Sequence, residues 1–207
     1  MSKEILAEQA SGMADGKRRL IDAALRLAAQ GGSLSSLGLR ELGREAGLNH
    51  NTFYRHFRDT EELGAAAVHE VASTLMAAMK EIRRNAAKHA DATVGAAEYF
   101  YDFVKDNPQP FIVGLRELHS ASTPMRKVLK QVLHEIAVES LEQIVTMNLA
   151  PGMDHDSLLR ATSAITYYLL YRSLDCIEQP RRRQQIVDET ISFMRAQFFG
   201  AAALQSG

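Results

Sequence analysis

At 207 residues the chain has the length for one large domain or two smaller ones sharing a core, and a hydrophobic content of 46% excludes a chain disordered throughout. No apolar run is long enough to cross a bilayer, no signal peptide opens the chain, and a single cysteine, Cys176, excludes an internal disulfide framework, so a cytoplasmic setting without membrane association is expected. The net charge is only −1, yet Lys17 to Arg58 holds eight basic against three acidic residues, a net +5, which leaves −6 for the remainder and suits that segment to a polyanion.

Met1 to Gly16 is polar and weakly patterned and reads as a flexible tail. From Lys17 the pattern is helical: Leu20, Ile21, Ala24, Leu25 and Ala28 share one face, and Gly31-Gly32 ends the run. A short second helix is expected from Leu39, with Gly38 as N-cap and Leu39, Leu42 and Ala46 as its buried face. Gly47 supplies a left-handed turn, after which Leu48 packs back. Asn49 is a suitable N-cap for a third helix, whose Phe53 and Phe57 at i, i+4 point inward. Asp59 with Glu62 forms a capping-box pattern opening a long fourth helix through Leu63, Ala67, Val71, Leu75 and Ile82.

Further helices are expected near 91–106, 108–119, 124–148, 154–179 and 181–199, punctuated by prolines and by Pro151-Gly152. No segment sustains the alternation of a strand. The expectation is an all-α protein of about nine helices.

Two short helices around a tight glycine turn have the shape of a helix-turn-helix. A major groove admits one α-helix while the preceding helix braces it. With Phe53 and Phe57 buried, His50, Asn51, Thr52, Tyr54, Arg55 and His56 are forced outward. These are hydrogen-bonding groups suited to base edges and phosphates. Arg40 and Arg44, one turn apart, are placed to run along a nucleic-acid backbone. His50 and His56 fall on different helix faces without an acidic or cysteine ligand nearby, so no metal site is expected there.

The stretch LRELGREAGLNHNTFYRHFRDTEEL, residues 39–63, resembles the DNA-binding signature of TetR-type transcriptional regulators. The shared features are the Arg-Glu start, Ala46-Gly47-Leu48, the Phe53-Tyr54-Arg55-His56-Phe57 run, and the acidic cap with Leu63. Gly43 and Thr60 depart from the pattern, where Ala and Lys are usual. After the tail over 1–16, the resemblance implies a three-helix DNA-binding domain over 17–60 and a larger helical effector-binding and dimerisation domain over 61–207. It implies a homodimeric repressor on a near-palindromic operator in double-stranded DNA. Tyr54, His56 and the Lys17-Arg18-Arg19 cluster would touch phosphates, and Asn49, His50, Asn51 and Thr52 bases or nearby phosphates. A dimer interface from the last two helices is implied too, for which the stripe Val187, Ile191, Met194 and Phe198 is one candidate and an intramolecular core the other reading.

Beyond residue 75 no catalytic set is visible. His134-Glu135 lacks a second histidine at zinc-protease spacing, and no glycine loop cradles phosphate. Asp154-His155-Asp156 reads as helix-capping residues. No enzyme activity, cofactor or metal is expected. Phe100, Phe103, Phe111, Leu115, Tyr167, Leu170 and Tyr171 are candidates to line a ligand cavity, with the core as their other reading.

The segments TFYRHFRDTEELG, NPQPFIVGLRELHSAS and MRKVLKQVLHEIA are similar to the TetR subgroup that represses unsaturated fatty-acid synthesis and acyl-chain desaturation. This implies long-chain acyl-CoA or acyl carrier protein as effector. Arg116, Arg126 and Lys127 would then be candidate partners for the coenzyme phosphates. Within the same class an aromatic or drug-like effector controlling an efflux or catabolic operon is the alternative. An enzyme with a vestigial DNA-binding head and a constitutive protein-binding module are the readings from other classes.

Overall fold

Helical periodicity over most of the chain, with caps at the expected places, yields helices and no strands among the residues described. The structure is a computed structural model, and it describes residues 2–31, 33–86 and 91–203. Over these run α1 (Ser2–Ala29), a 3-10 turn Leu34–Ser36, α2 (Leu39–Ala46), α3 (His50–Phe53), α4 (Thr60–Ala86), α5 (Ala92–Asp106) and α6 (Pro108–Leu118). They are followed by α7 (Thr123–Thr146), α8 (His155–Glu178), a 3-10 turn Pro180–Arg182 and α9 (Arg183–Ala203). Met1 and Gly32 lie outside the described residues.

Caps explain several of the boundaries. Asp91 accepts hydrogen bonds from the N–H groups of Thr93 (3.0 Å) and Val94 (3.3 Å) and opens α5. Asp154 accepts from the Ser157 N–H at 2.8 Å and opens α8, in line with the capping role expected of it. At the end of α7, Asn148 takes the left-handed conformation (φ 52°), and the Leu149 N–H returns to the Ile144 carbonyl at 3.0 Å. The capping box at α4 is only half as expected. Asp59 accepts from the Glu62 N–H at 2.8 Å, but the Glu62 carboxylate turns to the Arg58 N–H (2.7 Å) and Nε (3.1 Å).

Two expectations differ at larger scale. The segment Ser2–Gly16 is the first part of α1 rather than a tail. The chain also divides differently from a cut at residue 60: one compact unit comprises 1–70 with 112–129, the other 71–111 with 130–207.

In the first unit Leu20, Ile21, Ala24 and Ala28 of α1 are buried together with Leu34, Leu42, Phe53, Phe57, Leu63, Val113 and Met125. Leu39, expected to be buried, is half-buried. In the second unit α8 packs along α9, and α5 against both. The Tyr101 hydroxyl meets that of Thr190 at 2.7 Å inside this core, and Thr190 donates to the Ile186 carbonyl, so both of these hydroxyls are satisfied. Tyr168 stacks on Phe193 at 4.0 Å. Val187, Ile191 and Met194 are buried within the chain, and Phe198 packs on the cluster of Leu141, Ile144 and Leu158. The last-helix stripe therefore belongs to the intramolecular core, the second of its two readings. The Ile82 side chain lies outside the described residues.

Candidate nucleic-acid interface

The turn between α2 and α3 is closed by its backbone. Gly47 is left-handed (φ 63°), its N–H donates to the Arg44 carbonyl at 3.1 Å, and the Leu48 N–H reaches the Gly43 carbonyl at 2.8 Å. The positive φ favours glycine here, and a Cβ on Gly47 would come to 2.7 Å from Arg19 Nη2, so a side chain would also have to displace that guanidinium. Asn49 then caps α3, accepting from the Asn51 N–H at 3.0 Å. The helix is a single turn, but the Phe57 N–H still bonds the Phe53 carbonyl at 3.0 Å, so the path stays helical in pitch to Phe57.

Phe53 and Phe57 are buried as expected, 5.9 Å apart between ring centroids. Their burial turns Tyr54 outward: the residue is 62% exposed, its ring edge-on to Phe53. Asn49, Asn51 and Arg55 are exposed, and Thr52 and His56 half-buried. The His50 side chain lies outside the described residues. Exposed Arg40 and Arg44 fall one turn apart on α2, and Lys17 and Arg18 are exposed on α1.

Not every expected contact residue is free for DNA. Arg19 donates to the Gly47 carbonyl at 3.0 Å and approaches Asp15 at 3.8 Å, tying α1 to the turn. Arg26 pairs with Glu45 at 2.7 Å, a second tie between α1 and α2. At these exposed positions such pairs hold geometry more than they add stability. His56 leans on α1, where a Cβ on Gly16 would meet its Nε2 at 2.9 Å. Partial burial, then Arg55 and Lys17, hold its imidazole below the usual value, which favours the neutral ring. Lys17 lies 5.9 Å from the Phe57 ring centroid. The structure thus brings Lys17, Arg55, His56 and Phe57 together.

Phe100, Phe103 and Phe111 form an aromatic cluster, with Phe111 5.5 Å and 6.1 Å from the other two rings. Tyr167 and Tyr171 are 37% and 46% exposed on α8, one turn apart, while Leu170 is buried. Leu115 and Arg116 belong to the first unit. The Arg116 guanidinium donates to the Ala28 carbonyl, and Arg126 donates to the Ser120 carbonyl and Thr123 hydroxyl, so both cations have structural partners. An open cavity of about 550 Å³ in the second unit is lined by other residues, among them Lys80, His134, Glu135, Glu139, Glu142 and Met147. Glu117 is buried although no site role was expected of it. It stands on the inward face of α6 with Val113, Gly114 and Leu118, and a carboxylate in that register was the available signal.

Residues 20–67 match the profile of the bacterial regulatory proteins of the tetR family. The fold recurs in solved structures. A tetR-family transcriptional regulator from Streptomyces coelicolor aligns with a TM-score of 0.67 at 16% identity, covering 92% of this chain and 83% of that one. The fatty acid degradation regulator FadR from Bacillus halodurans gives 0.66 at 14% identity, covering 88% and 94%. FadR from Bacillus subtilis, solved in complex with stearoyl-CoA, gives 0.63 at 16% identity, covering 87% and 97%. The profile defines a tetR-type N-terminal domain, and the structural likeness extends the fold over the helical remainder.

Proposed function

We propose that the chain is a homodimeric, DNA-binding transcriptional repressor of the tetR type, with α3 and the following turn reading a near-palindromic operator. The carrying observation is the pairing of opposite roles on one helical turn. Phe53 and Phe57 are buried while Tyr54, Asn51 and Arg55 face outward after a glycine turn, in a segment of net +5. Outward aromatic and amide groups at a groove-sized helix match base-edge and phosphate contacts. The profile match over residues 20–67 supports the same reading.

For the dimer, exposed Tyr167 and Tyr171 on α8 and Phe199, 75% exposed on α9, leave aromatic surface that a second copy would cover. Two heads would then bind half-sites one helical turn, about 34–36 Å, apart. The body's role is to bind an apolar effector and bias that affinity, without turnover. A long-chain acyl thioester is the effector this reading favours, controlling genes of unsaturated fatty-acid metabolism. The likeness in fold to a regulator solved with stearoyl-CoA supports it. A second reading, a cationic or aromatic effector for an efflux or catabolic operon, is favoured by the glutamates around the 550 Å³ cavity, which would repel coenzyme phosphates.

Selection from a random duplex library tests the DNA claim. Enrichment of a two-fold symmetric sequence is expected, and enrichment of none refutes it. Thermal-shift titration with palmitoyl-CoA, oleoyl-CoA and free coenzyme A separates the effectors, since a ligand at 100 times its Kd adds about 2.7 kcal/mol. Stabilisation by the acyl forms alone supports the lipid reading; stabilisation only by cationic amphiphiles moves the assignment to the second.

A further inference from the structure

The link from Gln30 to Gly38 sets the distance and angle at which α2 and α3 follow α1. Links of this kind are ordinarily the pliant part of a small helical domain. Here residues from much later in the chain hold it. The Thr60 hydroxyl at the start of α4 donates to the Ser35 carbonyl at 3.2 Å. Leu34 is fully buried, and its Cβ lies 3.2 Å from where a Cβ on Gly64 would stand. From α6, Glu117 Oε1 accepts the Leu34 N–H at 2.6 Å. The preceding residue, Arg116, donates to the Ala28 carbonyl in the last turn of α1.

Two consecutive α6 residues therefore hold the last turn of α1 and the middle of the link. Arg116 adds a second donor to the Ala28 carbonyl, which already accepts the Gly31 N–H at 3.2 Å at the end of α1, and Glu117 takes the N–H that opens the 3-10 turn. Glu117 does so at a cost. It is fully buried, and its Oε2 has no hydrogen-bond partner. A buried carboxylate with one oxygen unanswered is expensive, and an amide in its place would offer the same acceptor without the charge. Stability alone does not account for this residue.

We propose that Arg116 and Glu117 are positioning residues for operator binding. They clamp the link between α1 and α2 so that the recognition turn is presented at one angle. The pair touches no DNA; it acts through Ala28 and Leu34. This inference rests on the operator-binding reading. It also gives a reason for the division of the chain, in which 112–129 forms one compact unit with 1–70. Fixed presentation matters for base contacts, which depend on geometry, and little for phosphate attraction, which depends on charge.

The test uses the full-length chain and compares operator duplex with unrelated duplex at one salt concentration. Glu117→Gln keeps the acceptor and is expected to hold the specificity ratio close to that of the parent. Glu117→Leu fills the space but orphans the Leu34 N–H, and is expected to lower operator affinity about tenfold or more while leaving unrelated-duplex binding unchanged. A purely structural role would lower both affinities together through loss of folded protein, and the amide would not rescue it selectively. Arg116→Met keeps the stem without the donor and is expected to reduce the ratio in the same direction. It carries the test should Glu117→Leu fail to fold. A folded Glu117→Leu or Arg116→Met protein with the parent's specificity ratio overturns the clamp. A parent chain that enriches no duplex sequence overturns the operator reading itself, and the clamp with it.

Discussion

Gly64 stands inside α4, where alanine would ordinarily be the better residue by about 1 kcal/mol. The tertiary structure reverses that sign. An added Cβ would meet Met125 Cε at 2.5 Å and Leu34 Cβ at 3.2 Å. The methionine terminus is the flexible partner, but Met125 is 1% exposed and Leu34 fully buried, so neither has open space to enter. Overpacking of this kind costs about 1–3 kcal/mol. Set against the gain in helix propensity, Gly64→Ala should be destabilising by about 1 kcal/mol, a fall in Tm of about 2–4 °C for a chain of this size. Replacing Met125 by Leu removes the atom at the closest contact. The double variant Gly64→Ala with Met125→Leu should therefore be more stable than the two single effects added, by about 0.5–3 kcal/mol. Urea unfolding of the four proteins measures this coupling. A Gly64→Ala protein more stable than its parent, or singles that simply add, would refute the reasoning and show that the contact relaxes without cost.

Other outcomes follow from neighbouring residues. Tyr54→Ala should weaken operator binding and leave Tm unchanged, whereas Phe53→Ala, one residue away but 1% exposed, should cost about 3–5 kcal/mol in unfolding experiments. His56 is held below the ordinary imidazole value of about 6.5, so the unfolded chain takes up the proton first, and stability contributed by the neutral ring is lost as pH falls below that value. Phosphates near the ring would reverse the preference. Operator affinity should then rise on acidification through the same window, and His56→Gln should flatten that part of the profile in fluorescence-anisotropy titrations. Cys176 is buried with its thiol pushed up by that burial, so reaction with a thiol reagent should wait on unfolding; rapid labelling of the native chain would contradict its placement.

How much of this was legible beforehand follows the range of the forces involved. The helices, the glycine turn, the Asn49 and Asp154 caps and the inward pair Phe53 and Phe57 all lie within a few residues of the signals that specify them. Helical periodicity and capping are local, so the sequence alone determined the all-helical fold and the outward set around Tyr54. What the tertiary structure decided is the destination of groups whose own chemistry allows two. An apolar stripe such as Val187, Ile191 and Met194 suits a core or a partner equally, and only packing within the chain placed it inside. A surface arginine suits phosphate or a carbonyl, and Arg19 and Arg116 found Gly47 and Ala28. Glu117 is the sharpest case: its partner is Leu34, far back in the chain, and no local pattern links them. Long-range pairs like this are set by how the helices close on one another, a property of the whole packed unit that no short window of residues carries.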